Sequence, residues 1–150
     1  MRRKRLFASL MAGFIMMILV FAGCGKMGDP IPPRIKLPVV NDLAATSLPE
    51  GILLGWSLDV RPDGIGRFKI LRSVTIRGEE ACPGCPQDYR PFRKVTPGDG
   101  RLRREGATGF RYTDTDVKGG SFYSYRIVVC DHSDSCGEVS NEAGTIHTGK

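Results

Sequence analysis

Five cysteines carry most of the chemistry available to this chain: Cys24 alone, Cys82 and Cys85 in "ACPGCP", and Cys130 and Cys136 in "CDHSDSC". The number is odd, so one thiol has a fate other than pairing if the rest form disulfides. Cys82-Pro83-Gly84-Cys85 has the spacing shared by zinc knuckles and redox dithiols. A four-thiolate zinc site would need Cys130 and Cys136 as its second pair, and five intervening residues suit a knuckle poorly. A redox dithiol places its first thiol at a helix N-terminus, which lowers the thiol pKa; here Pro86 and polar chain follow instead. The other candidates are weaker. His132 and His147 are the only histidines, one in a turn and one near the C-terminal end. Asp131, His132 and Asp134 could hold a cation, although turn chemistry accounts for them, as it does for Asp114 and Asp116. No glycine-rich phosphate loop and no serine-nucleophile motif is present, so the expectation is a protein that is not an enzyme, with no metal site.

Positive charge is the second feature. The formal net charge is +6, but Arg2, Arg3, Lys4 and Arg5 supply four charges within the first five residues. Without residues 1–23, Lys plus Arg falls from 22 to 18 against 16 acids, leaving an ordinary +2. Nucleic acid is therefore not an expected partner. The most basic stretch of the remainder is Arg90, Arg93, Lys94, Arg101, Arg103 and Arg104. It could contact an anionic surface or a polyanionic glycan; a solvated hairpin is the plainer reading.

The N-terminus reads as a targeting segment: a basic start, then an apolar run from Leu6 to Gly23. Its 18 residues are near the lower limit for a spanning helix, so a permanent anchor competes with a removable signal. Phe21-Ala22-Gly23-Cys24 resembles a bacterial lipobox, with Phe21 in place of the usual Leu. The resemblance implies a signal peptide over 1–23, cleavage before Cys24, and a diacylglycerol plus an N-acyl chain such as palmitate on Cys24. No other cofactor is expected. Several acyl chains, at about 0.8 kcal/mol per buried CH₂, hold a protein stably at a membrane. Gly25 rather than Asp after the cysteine favours the outer membrane. Residues 24–38 then form a stalk, with Pro30, Pro32, Pro33 and Pro38. Extended proline-rich chain at about 3.1 Å per residue lifts a domain roughly 40 Å from the bilayer. The head of this stalk, Cys24-Gly25-Lys26 with Gly28, Pro30, Pro32 and Pro33, also resembles that of a small lipoprotein associated with the lipopolysaccharide-transport translocon.

From Val39 onward the hydrophobic period is two. Ile52, Leu54, Trp56 and Leu58 share one face, as do Phe68 and Ile70, and Tyr123, Tyr125, Ile127 and Val129. "RPDGIG", "TPGDG", "VKGGS" and "DHSDSCG" separate these runs as turns. The pattern predicts an all-β antiparallel β-sandwich over 39–148.

The ordered landmarks of that segment resemble the fibronectin type III domain. "PVVNDLAAT" resembles the first strand, "GILLGWS" the second, "GRFKILRS" the third, "YTDTDVKGGSFYSYRIVV" the fifth and sixth with their corner, and "SNEAGTIHT" the last. The resemblance implies about seven strands, Trp56 at the centre of the core, and a tyrosine corner formed by Tyr123. An insertion near 75–93, holding Cys82 and Cys85, departs from the family. The fold also implies that Cys130 closes the sixth strand and Cys136 opens the seventh, so that a disulfide spans that hairpin while Cys82 and Cys85 close the insertion. Other pairings, such as Cys82 with Cys130, stay open from sequence alone. It would place the insertion and the sixth-to-seventh loop at opposite ends, against a shared zinc. The expected function is a membrane-anchored lipoprotein of the bacterial cell envelope that binds or scaffolds another envelope protein or glycan. The alternative is a thiol-redox or zinc-binding envelope protein using Cys82 and Cys85.

Overall fold

Alternating apolar residues build two antiparallel sheets in a computed structural model that describes residues 36–59, 64–76 and 87–149. The strands are β1 (Ala44–Leu48), β2 (Gly51–Ser57), β3 (Arg67–Thr75), β4 (Arg90–Val95), β5 (Leu102–Glu105), β6 (Gly109–Asp114), β7 (Phe122–Cys130), β8 (Cys136–Val139) and β9 (Ala143–Ile146). One sheet has the order β1-β2-β6-β5; the other is β4-β3-β7-β8, with β9 also pairing β7. The described residues contain no helix. The chain is thus all-β with a sandwich-like pair of sheets, as the period of two requires.

The core is the set of inward positions that the alternation predicts. Ile52, Leu54, Trp56 and Leu58 from β2 and its exit meet Phe68, Ile70, Tyr125, Ile127 and Val129, all buried. Trp56, Phe68 and Phe110 form its aromatic centre. The Trp56 ring meets Phe68 edge-on at 5.3 Å and stacks with Phe110 at 5.9 Å, and the two phenylalanines are 4.9 Å apart. Near the Thr75 end of the sandwich, the Tyr123 hydroxyl accepts the Lys118 backbone N–H at 2.7 Å, tying the β6–β7 connection to β7.

Among the described residues nine strands form where about seven are expected, for local reasons. "PVVNDLAAT" contributes only its end to β1, because Leu43 bonds the Asn141 side chain rather than a ladder. The Asn141 amide accepts the Leu43 N–H and donates to the Leu43 carbonyl, both at 2.9 Å. Asn141 sits where the last strand breaks into β8 and β9. At that break the Ser140 hydroxyl accepts the Ile127 N–H at 2.8 Å, in the place of a ladder carbonyl. β4 begins at Arg90, inside the segment read as an insertion, and "RLRRE" adds β5 beside β6.

The sandwich is laced along one side and open along the other. Asn141 joins the β1 side to β9, and Ser47 accepts the Thr148 N–H at 3.1 Å. On the opposite side β4 and β5 are edge strands of different sheets. Edge strands are commonly blunted by charge and proline, and these carry Arg90, Pro91, Arg93, Lys94, Arg103 and Arg104.

Candidate functional site

Cys24, Cys82 and Cys85 lie outside the described residues. Cys130 and Cys136 form a disulfide that closes the β7–β8 hairpin. It takes two of the four thiols that the zinc reading required. The described chain leaves β3 at Ile76, beside Phe122, whereas Cys130 pairs with Arg67 at the other end of β7. Cys130 is fully buried and Cys136 is exposed, with the Lys69 ammonium 3.0 Å from its sulfur.

Asp131, His132 and Asp134 are turn-formers. Asp131 Oδ1 accepts the Ser133 hydroxyl and the Ser133 and Ser135 N–H groups at 2.7 to 3.0 Å. The Ser133 hydroxyl, followed by these backbone donors, holds the Asp131 carboxyl below its ordinary range. Asp134, at φ 66°, is engaged by Arg67 at 3.1 Å and Lys69 at 3.7 Å. No group of three His, Cys, Asp or Glu among the described residues could hold a metal ion. His147, near the C-terminal end, is only 3% exposed. Its backbone bonds Ser121 and Gly120, and its ring lies 3.4 Å from the Ser47 hydroxyl.

The alternation did not reveal a charged cluster between the sheets. Asp114 ends β6 and is 1% exposed. Its Oδ2 accepts from the Tyr125 hydroxyl at 2.8 Å and from Arg72 Nη1 at 2.9 Å, and its Oδ1 accepts the Asp116 N–H at 2.9 Å. The last bond is the turn chemistry expected of Asp114; the other two join the sheets. Burial opposes the Arg72 charge, but Asp114 outweighs it and the guanidinium pKa moves up. Burial and the neighbouring carboxylate push the Tyr125 hydroxyl far above the ordinary tyrosine range. The missed signal was parity: Arg72 follows Phe68 and Ile70, and Asp114 follows Phe110 and Tyr112, so both charges occupy inward positions.

This cluster anchors the open side. β4 carries one residue more than β3 between Ile70 and Leu71, which leaves Phe92 as the extra residue of a bulge. The Phe92 ring lies 3.8 Å from the Arg72 guanidinium and 5.1 Å from that of Arg93. Beside it, a cleft of ≈ 280 Å³ between the two edges is lined by Arg93, Arg101 and Arg103, with Tyr112, Asp114 and Asp116. Burial, then Asp114, pushes the Tyr112 hydroxyl up, and Arg93 and Arg101 oppose that shift. The six basic residues therefore separate. Arg93, Arg101 and Arg103 share the cleft, while Lys94 sits opposite Lys69 and Arg104 reaches over the Phe110 ring at 5.8 Å. Arg90 forms an exposed pair with Asp88 at 2.7 Å, and Arg101 is held by Asp99 at 3.3 Å. A strand from each sheet, rather than one hairpin, carries the charge.

No family model and no curated protein matches the chain. Among solved structures, a β-1,2-glucanase from Parabacteroides distasonis is similar over 83% of this chain and 14% of its own, at 17% identity and a TM-score of 0.50. Astrotactin-2, described as a vertebrate-specific, perforin-like membrane protein, is similar over 76% of this chain and 23% of its own, at 11% identity and a TM-score of 0.44. This chain therefore spans a small part of either protein. The likeness to the glucanase segment concerns the all-β fold alone.

Proposed function

We propose that the chain is a bacterial envelope lipoprotein: a signal peptide over 1–23, lipid on Cys24, a proline-rich stalk, and a fibronectin type III-like domain that binds or scaffolds without turnover. The observation that carries this reading is Phe21-Ala22-Gly23-Cys24 at the end of an apolar run behind four basic residues. The finer fold assignment is supported by Trp56 in β2, by the Tyr123 hydroxyl bond to Lys118, and by β4 joining the sheet of β3 and β7. Binding is favoured over catalysis by the polar residues themselves: the carboxylates of the β7–β8 turn and of the inter-sheet cluster are engaged in structural bonds. The partner fits another envelope protein or a glycan, and the protein sits at the outer membrane.

Intact mass of the protein extracted from bacterial membranes tests this, before and after reduction. The expected species starts at Cys24, carries acyl chains, and gains four hydrogens on reduction as Cys82–Cys85 and Cys130–Cys136 open. A full-length, unmodified mass overturns the lipoprotein reading. Free thiols or bound zinc in the native protein would favour the thiol-redox or zinc-binding alternative on Cys82 and Cys85.

A further inference from the structure

We propose that the cleft between β4 and β5 is a binding site for a single oxyanion, the phosphate or carboxylate of a partner, gripped by Arg93, Arg103 and Arg101 above the Tyr112 hydroxyl. The site rests on the binding-module reading and narrows it from six basic residues to three. Three observations carry it. First, three arginines, from β4, from β5 and from the turn before β5, line one concavity of ≈ 280 Å³, and guanidinium forks match the oxygens of phosphate and carboxylate. Second, Asp114, the buried acid lining the cleft, is already engaged, and Asp116, 71% exposed, shares the same guanidinium at its margin. Asp114 is bound by Arg72 and Tyr125, and Asp116 lies 3.5 Å from Arg72, whereas Arg93 and Arg103 have no ion pair among the described residues. Third, Arg103 lies directly across from Arg111 in the β5–β6 ladder. Arg111 is paired with Glu105 at 2.6 Å, which leaves Arg103 as the cation of that rung without a carboxylate partner among the described residues.

The site is also held in shape. Asp99 orients Arg101 through Nε at 3.3 Å, and Phe92 of the bulge flanks Arg93. The cation–π contact of Phe92 with Arg72 fixes that wall to the inter-sheet cluster. Tyr112 is only 4% exposed and lines the cleft, where its hydroxyl offers a neutral donor.

The test is calorimetric titration of the full chain in an uncharged detergent with inorganic phosphate and, separately, with glucuronate. At least one anion is expected to saturate, and the tighter of the two identifies the source. Replacing two guanidinium groups, Arg93→Gln with Arg103→Gln, is expected to weaken it about tenfold or more. Tyr112→Phe keeps the ring, removes the hydroxyl, and is expected to weaken it severalfold. Lys94→Gln with Arg104→Gln removes the same charge outside the cleft and is expected to leave affinity within about twofold. Thermal unfolding of each variant separates loss of binding from loss of fold. Saturation by neither anion, or equal weakening by the two double variants, overturns the site. The mass of the same preparation reports the lipid independently, so the anchor and the cleft can fail separately.

Discussion

Removing the Asp114 carboxylate should be among the most damaging single changes available to this domain. Asp114→Ala leaves the Tyr125 hydroxyl without its acceptor in a fully buried position and leaves Arg72, whose side chain is 18% exposed, without its main counter-charge. Removing one partner of a buried ion pair costs about 3–5 kcal/mol, because the other charge stays desolvated. For a domain of this size that corresponds to a fall in Tm of about 15 °C. Trp56 is the only tryptophan and sits in the core, so its fluorescence during urea or thermal unfolding reports the transition directly. Tyr125→Phe, which keeps the ring and removes one bond to a charged acceptor, should cost about 2 kcal/mol. The double change Arg72→Met with Asp114→Leu should recover the part of the loss that comes from the stranded Arg72 charge, since a buried pair replaced by apolar groups is near neutral, while the Tyr125 hydroxyl stays without its acceptor. Asp88→Ala breaks a pair whose side chains are 73% and 81% exposed and should leave the transition unmoved. A loss below about 1 kcal/mol for Asp114→Ala, or a double change as damaging as Arg72→Met alone and Asp114→Leu alone summed, would refute the assignment of Asp114 as the inter-sheet tie.

Three further outcomes are expected. Tyr125, Tyr112 and Tyr89 all have hydroxyl pKa values raised in the folded state, chiefly by burial. Their native forms keep protons that the unfolded chain loses above about pH 10, so this stability is complete below that pH and falls as pH rises further, by about 1.4 kcal/mol per pH unit per group. Urea midpoints measured across that range should decline, and Tyr125→Phe should flatten the decline. Opening Cys130–Cys136 by Cys136→Ser should cost about 2 kcal/mol, given a sequence separation of 6, as read by the urea midpoint of the variant. Asn141→Ala removes both bonds to the Leu43 backbone and should cost about 1–2 kcal/mol, with faster hydrogen exchange at the Leu43 amide.

The sandwich was legible because its core strands alternate: Ile52, Leu54, Trp56 and Leu58, and Tyr123, Tyr125, Ile127 and Val129, are all buried, although Ser124 on the other face of β7 is buried as well. The edges were harder to read. β5 and β9 are four residues long, β5 mostly charged and β9 opening on Ala143 and Gly144, so their membership depends on partners distant in sequence. The break between β8 and β9 depends on where the Ser140 and Asn141 side chains bond, which alternation does not encode. The basic residues were found as a run, but their division between cleft and outside requires knowing that β4 and β5 belong to different sheets. Arg72 and Asp114 stood at inward parity and were legible in principle; pairing them needed the sheet-to-sheet contact.

The lacing at Asn141 and Ser47 has a mechanical meaning. Leu37 packs beside Gly137 at the start of β8, so the chain arrives at the Cys136 end and then runs as β1 toward the opposite end. A pull on the N-terminal segment, resisted by a partner held elsewhere on the domain, loads β1 along its own axis. The bonds of the β1–β2 ladder would bear that load together, in shear, rather than opening one after another. The Leu43–Asn141 clasp stands in front of them and takes the strain first. Such an arrangement lets the sandwich keep its shape when tension is applied from its N-terminal side.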